Sequence, residues 1–336
     1  MDDGFGEYEE GRKLIEDIRR NEYMIGLDMS PEVQAAADRL REKLGSALKL
    51  LAADLYSSDT HFLLELVQNA DDNSYSPEVV PTVSVRLERD SLAFVNNETG
   101  FAEKNVRALC SVGQSTKAGQ KHSGYIGEKG IGFKSVFQVS DAPEVHSNGF
   151  HFRFNISGAD DLLGYVIPHW REPNGRIDAV GTTVLLPAKA GLSFGSHLLE
   201  GLHPRLLLFL NKVRRLNLGH ECGQVIYERQ DAGDVITIST KKLDIAGKLE
   251  SSSVESYVRI HHPVSMVDSP DEKRPGTSTT SLVIALPVDE QGKAIPLHTS
   301  RRERLVNFRG LPFTLAFCMT REWHEQRRVG RQWNSR

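Results

Sequence analysis

Glu65 and Asn69 lie four residues apart in the segment Glu65-Leu66-Val67-Gln68-Asn69-Ala70-Asp71-Asp72. On a helix that spacing stacks the two side chains on one face, one turn apart. Leu63, Leu64, Leu66, Val67 and Ala70 make the rest of the helix suited to burial. A carboxylate and a carboxamide in such surroundings are costly without polar partners. A hydrated magnesium ion would satisfy both, because Mg²⁺ keeps several waters and takes one or two protein oxygens besides phosphate oxygens. The competing reading is an exposed polar pair on an amphipathic helix.

A second candidate is Gly124-Tyr125-Ile126-Gly127-Glu128-Lys129-Gly130-Ile131-Gly132-Phe133-Lys134. Its glycines permit close backbone approach, and a helix-compatible apolar segment follows directly. Amides in such a loop, and at the start of the helix after it, can cradle phosphates. Lys129 and Lys134, with Lys117 upstream, could neutralise phosphate charge, although a solvated lysine is the commoner case. The loop lacks the Gly-Lys-Ser/Thr ending of a P-loop and the βαβ setting of a dinucleotide fingerprint. Alone, it reads equally as a surface loop with hinge glycines.

These residues need elements to hold them. Helical spacing is expected from about Tyr8 to Tyr23, on Leu14, Ile15 and Ile18, and from Ser30-Pro31 to about Leu55. The apolar row of the second helix is Val33, Ala36, Leu40, Leu44, Leu48 and Leu51. A third helix, capped by Asp59 or Thr60, runs from His61 to about Asn73 and carries Glu65 and Asn69. Strands are expected at Thr82–Leu87, Leu92–Val95, around 144–155, 163–168 and Thr182–Leu186. A helix from about Ser196 to Lys212 includes the run Leu206–Leu210. Four more strands follow, at Gln224–Arg229, Val235–Thr240, Ser256–His261 and Ser281–Leu286, with an exposed loop at 266–280. This order points to an α+β fold with helices on one face of a mixed, mostly antiparallel sheet.

Taken in sequence, the helix motif, the strand ending Val95-Asn96-Asn97-Glu98-Thr99-Gly100-Phe101 and the glycine segment resemble a known family. It is the gyrase, heat-shock chaperone, histidine kinase and MutL (GHKL) superfamily, in its chaperone-like branch near the sacsin and NO VEIN-like group. The resemblance covers roughly residues 55–190 and implies a two-layer Bergerat ATPase sandwich, followed by a smaller β-rich region. It implies ATP (or ADP) and Mg²⁺ as ligands, Glu65 as general base for the attacking water, Asn69 as the metal ligand and Asp72 as a polar wall. Asn96, Gly100 and Phe101 fall in the second motif, normally Asp-x-Gly-x-Gly, whose Asp accepts from the adenine amino group. This sequence departs there, with Asn96 for the Asp and Glu98 for the first Gly. Asn can accept through its carbonyl oxygen but without charge assistance. Ser115, Thr116 and Lys117 match the opening of an ATP lid, and Gly127, Lys129, Gly130, Ile131, Gly132 and Phe133 the glycine motif. Thr182, in Gly181-Thr182-Thr183-Val184-Leu185, matches the last motif, near the base. Arg301 or Arg302, in 295–303, resembles a middle-domain arginine that reaches the γ-phosphate; a basic surface turn is the alternative. The resemblance also implies a longer parent protein.

The chain has 336 residues and a formal net charge of −4. That balance argues against a protein built to grip nucleic acid through its phosphates. Cys110, Cys222 and Cys318 follow no metal-ligand spacing, so a reducing compartment is expected. The acidic start (Asp2, Asp3, Glu7, Glu9, Glu10) has no apolar core for a signal or transit peptide. No window approaches the roughly 18 apolar residues needed to span a bilayer. The expected organisation is a helical extension at 1–55, the ATP-binding domain at 56–218, a β-rich partner region at 219–319 and a basic tail at 320–336. The expected function is slow ATP hydrolysis with lid closure in a chaperone-like protein of the cytoplasm or nucleus, with a protein client or partner and no membrane. The alternatives are a nucleotide-binding switch or scaffold with little hydrolysis, a histidine-kinase-type phosphotransferase, and a DNA-associated ATPase.

Overall fold

The computed structural model describes residues 4–54, 61–111, 132–157, 163–172, 181–265, 279–295, 305–307 and 314–319. Two compact units divide the chain. The first comprises Met1–His203, Leu210–Tyr227 and Lys241–Ser251; the second comprises Pro204–Phe209, Glu228–Thr240 and Ser252–Arg336.

In the first unit α1 (Gly4–Asp17) runs into a π-helical turn, Ile18–Glu22, and Ile15 and Ile18 are fully buried. α2 spans Pro31–Asp54, with Pro31 at its first position, where a missing N–H costs nothing. Its buried row passes through Ala37 and Leu48, whereas Val33 and Leu40 are 52 % and 60 % exposed. The first half of the expected row, Val33, Ala36 and Leu40, is therefore exposed, while Leu48 of the same row is buried. The reason is Arg41, which donates to the carbonyls of Tyr23 and Met24 at 3.0 and 2.6 Å and turns its own side of α2 inward. α3 spans His61–Asp72, as its apolar period demands.

The strands of this unit are β1 (Thr82–Leu87), β2 (Ser91–Asn96), β3 (Glu144–Ser147), β4 (Phe150–Arg153), β5 (His169–Trp170), β6 (Thr182–Pro187) and β7 (Arg215–His220). They lie side by side in the order β7-β1-β2-β6-β3-β4-β5. β1 pairs with β7 in parallel, and the other pairings are antiparallel. Between β3 and β4 the positive φ angles of Asn148 (47°) and Gly149 (79°) make the tight turn whose twist matches a hairpin. The strand expected at 163–168 forms local turns instead, Val166 and Ile167 both bonding Leu163 O, and extended pairing begins at His169.

α4 (Glu103–Cys110) carries no strong sequence signal, having Val106 and Cys110 as its buried residues. It is held by Arg107, which pairs with Glu103, Glu22 and Asp17 at 2.7–2.8 Å. The long helix expected from Ser196 to Lys212 is interrupted. α5 covers His197–Glu200, and a separate 3-10 turn covers Pro204–Leu208. Pro204 has no N–H to continue the ladder and its ring clashes with the preceding turn. The run Leu206–Leu210 is buried as its composition requires.

β8 (Gly223–Ala232), β9 (Val235–Leu243), β10 (Leu249–Ser265) and β11 (Thr279–Val288) follow, then β12 (Leu305–Asn307) and β13 (Thr314–Met319). All four strands expected after Leu218 are present and longer than the sequence indicated. In the second unit β10 pairs antiparallel with β11, β11 parallel with β13, and β13 antiparallel with β12. Arg229, 4 % exposed, holds Asp231 through two nitrogens and donates to Leu207 O at 2.8 Å. The fold class is thus mixed α and β, dominated by antiparallel pairing. No described helix is long and apolar enough to cross a membrane.

Candidate nucleotide site

α3 sorts its residues into two kinds. Phe62, Leu63, Leu66, Val67 and Ala70 are core, while His61, Glu65 and Asn69, each four residues on, form a half-buried polar stripe. Glu65 keeps 21 % of its side chain exposed, and its Oε1 lies 3.9 Å from His61 Nε2. The neighbour on this side is Gly132, which opens the 3-10 turn Gly132–Gln138. A Cβ at Gly132 would collide with Glu65 Oε2. Glycine is therefore the residue that lets the backbone come against the carboxylate.

Phe133 points into the core against Phe154, at 6.1 Å between ring centroids. Lys134 is a correction to the sequence reading. Instead of facing phosphates it turns inward, is 5 % exposed, and donates to Leu109 O (2.5 Å) and Tyr165 O (2.6 Å) with its Nζ 4.7 Å from the Phe154 ring centre. Burial lowers the ammonium's pKa to about 8. The Cys110 thiol beside it is pushed up to about 12, mainly by burial.

At the end of α3, Asp72 is buried beside Asp71. Asp71 is 1 % exposed and accepts three backbone N–H bonds in succession, from Asn211, Lys212 and Val213 at 2.7, 2.7 and 2.8 Å. Burial raises its pKa against the opposing pull of those bonds. Sequence reading gave Asp71 no role; its place in an otherwise apolar helix was the available signal.

A third group gathers where β2, β6 and β3 run in register. Asn96 is opposite Thr182, and Thr182 is opposite Ser147. Gly181, at φ +88°, lets β6 start against Asn96, since a Cβ there would collide with Asn96 O. Thr182 Oγ1 donates to Glu98 Oε1 at 2.6 Å and meets Ser147 Oγ at 2.5 Å, while Phe101 N donates to Ser147 Oγ at 2.8 Å. Gly100 lies against Asn148, whose Nδ2 donates to Phe101 O. Asn96, Glu98, Ser147 and Thr182 are all buried. Sequence reading named Asn96 and Thr182; Ser147 it missed, and Glu98 it treated as a departure from the motif rather than a member of the site.

The structure thus gathers Glu65, Gly132 and the His61–Asn69 stripe on one side of α3, and Asn96, Thr182, Gly100 and Phe101 at one end of the strands. Ser115, Thr116, Lys117, Gly127, Lys129, Gly130, Ile131, Arg301 and Arg302 lie outside the described residues. Among the described residues no group of three or more His, Cys, Asp or Glu is arranged to hold a metal. An Mg²⁺ bound chiefly through one amide, water and phosphate oxygens needs no such group.

Residues 41–155 match the family model described as Sacsin domain. The chain is 44 % identical over 228 residues to Protein NO VEIN of Arabidopsis thaliana, a match covering 62 % of this chain and 8 % of that protein. It is 32 % identical over 148 residues to Sacsin of Homo sapiens, covering 40 % of this chain and 3 % of that one. It is 26 % identical over 137 residues to Chaperone protein HtpG of Sulfurovum sp. (strain NBC37-1), covering 33 % and 22 %. The chain spans less than a tenth of the length of the first two relatives. The motifs and these matches agree: residues 41–155 are similar to the Sacsin domain, and the matches support a likeness to the sacsin and NO VEIN-like group.

Proposed function

We propose that the first unit is a Bergerat-type ATP and Mg²⁺ site, in a chaperone-like protein that hydrolyses ATP slowly. The observation that carries this reading is the approach of Gly132 to Glu65. A half-buried carboxylate faces backbone with no side chain between them, on the helix face that also bears Asn69. Asn69 offers the neutral oxygen that Mg²⁺ accepts alongside phosphate oxygens and water. When bound, the ion neutralises charge that develops on the transferred phosphoryl group. Glu65 orients a water and takes its proton, and the glycine backbone amides face the phosphates. Asn96 and Thr182 border the base, and a lid-closure step limits turnover. The similarity to HtpG chaperones and to the Sacsin domain supports this assignment. Within the longer protein, the second unit serves a protein client or partner.

Phosphate release with Mg²⁺ and ATP tests the reading. Glu65→Ala should lower hydrolysis by about 10²–10⁴-fold while ATP binding, followed calorimetrically, persists. Equal rates in variant and parent would remove Glu65 from the chemistry. The uncharged Asn96 favours a second reading, a nucleotide-dependent switch with little turnover, which nucleotide binding without phosphate release would establish.

A further inference from the structure

The resemblance puts the acceptor for the base's amino group at position 96, where this chain has an amide in place of a carboxylate. Two residues on, where the motif has glycine, it has Glu98, 6 % exposed. A carboxylate buried to that degree is costly unless donors are aimed at it. They are. The Phe101 N–H donates to Ser147 Oγ, and Thr182 Oγ1 donates to Glu98 Oε1. Since the Thr182 proton is committed to the carboxylate, the proton between Ser147 and Thr182 must come from Ser147. The result is a relay in one direction, Phe101 to Ser147 to Thr182 to Glu98. Each bond in it polarises the next, and a negative charge sits at the end. Asn96, by contrast, has its Oδ1 turned toward the Glu98 N–H at 3.5 Å.

We infer that Glu98 is the residue that reads the exocyclic amino group of the bound base, so that the acceptor charge missing at position 96 is supplied from position 98. The inference rests on the nucleotide reading above. Thr182, which that reading puts beside the base, touches Glu98 directly, and Asn96 is its register partner across β2 and β6. Thr182 then acts as a positioning residue for the carboxylate.

The test compares Mg²⁺-dependent binding of ATP with that of purine riboside triphosphate, which lacks the amino group, in the parent, Glu98→Gln and Asn96→Ala. A hydrogen bond to a charged acceptor is worth about 1.5–3 kcal/mol, so the parent should prefer ATP by about 10–150-fold. Glu98→Gln should shrink that preference to within about threefold, with purine riboside triphosphate binding little changed. Asn96→Ala leaves the relay intact and should keep most of the preference, which provides an arm independent of how well Glu98→Gln folds. Preference retained in Glu98→Gln, or abolished in Asn96→Ala, would overturn the inference and leave the nucleotide reading standing. A parent that binds neither triphosphate would overturn the nucleotide reading, and this one with it.

Discussion

Two carboxylates on α3, Glu65 and Asp71, are used in opposite ways. Asp71 is 1 % exposed and spends both oxygens on the consecutive N–H groups of Asn211, Lys212 and Val213. Glu65, six residues earlier, keeps a fifth of its side chain in contact with solvent and faces the backbone of Gly132. The first is a clamp that fixes the end of α3 to the start of the segment leading into β7. In the function proposed above the second is the working carboxylate, because a carboxylate that orients water must remain reachable. Carboxylate identity alone does not separate the two roles; what its oxygens face does.

The comparison is broken most easily by removing each carboxylate in turn. Asp71→Ala takes the shared acceptor from three N–H donors, that of Val213 buried, and should cost about 3–4 kcal/mol in chemical denaturation. Glu65→Gln should change stability by less than about 1 kcal/mol. Equal losses would mean that Glu65 is structural too. Next in size is Lys134, whose loss leaves the Leu109 and Tyr165 carbonyls without their donor. Lys134→Met should destabilise by about 2–3 kcal/mol without changing nucleotide affinity at neutral pH, which separates a buried tie from a phosphate ligand.

A pH titration sharpens the contrast between buried and working polar groups. His151 Nδ1 is 3.0 Å from His146 Nδ1, and burial, with His146 beside it, lowers the His151 pKa to about 4 from an ordinary 6.5. The unfolded chain therefore binds the extra proton first, between pH 6.5 and 4. Stability is full above that window and falls as pH drops through it, by about 1–3 kcal/mol. His151→Phe should flatten that part of the profile; an unchanged acid limb would place the proton uptake elsewhere. The smallest effect on stability is expected of Gly132→Ala. The new methyl meets the movable end of Glu65, so the fold should lose about 1 kcal/mol or less, whereas phosphate release should fall by at least about tenfold as the carboxylate is displaced. A rate equal to the parent's would separate Gly132 from the site.

Much of this was legible in residue order. α3 is legible to within a residue of its end, because six apolar positions at helical spacing set off the polar stripe of His61, Glu65 and Asn69. β1, β2 and β6 were legible from alternation and from Gly-Thr at 181–182. Less was legible where two answers carry the same pattern. α2 has apolar residues on adjacent rows, and the backbone carbonyls that Arg41 reaches decide which is buried. α4 has too few apolar residues to show a period, and its position is set by the carboxylates around Arg107. Pro204 lies inside the expected Ser196–Lys212 helix, and its ring, rather than the leucine run after it, decides where the helix stops. In the site, Lys134 could not be told from a phosphate ligand by its neighbours in sequence, since its inward turn depends on the carbonyls of Leu109 and Tyr165. Glu98 reads as a defect in a motif from sequence alone, because its hydrogen bond from Thr182 joins residues 84 positions apart.

The central claim is that Glu65 and Asn69 face a magnesium triphosphate held at Gly132. The most direct measurement is an experimental structure of the protein with Mg²⁺ and a non-hydrolysable ATP analogue. The account expects the ion on Asn69 Oδ1, a water between Glu65 and the γ-phosphate, and phosphate oxygens within hydrogen-bond distance of the Gly132 segment. A nucleotide ordered elsewhere, or none at saturating concentration with Glu65 and Asn69 facing solvent, would contradict it.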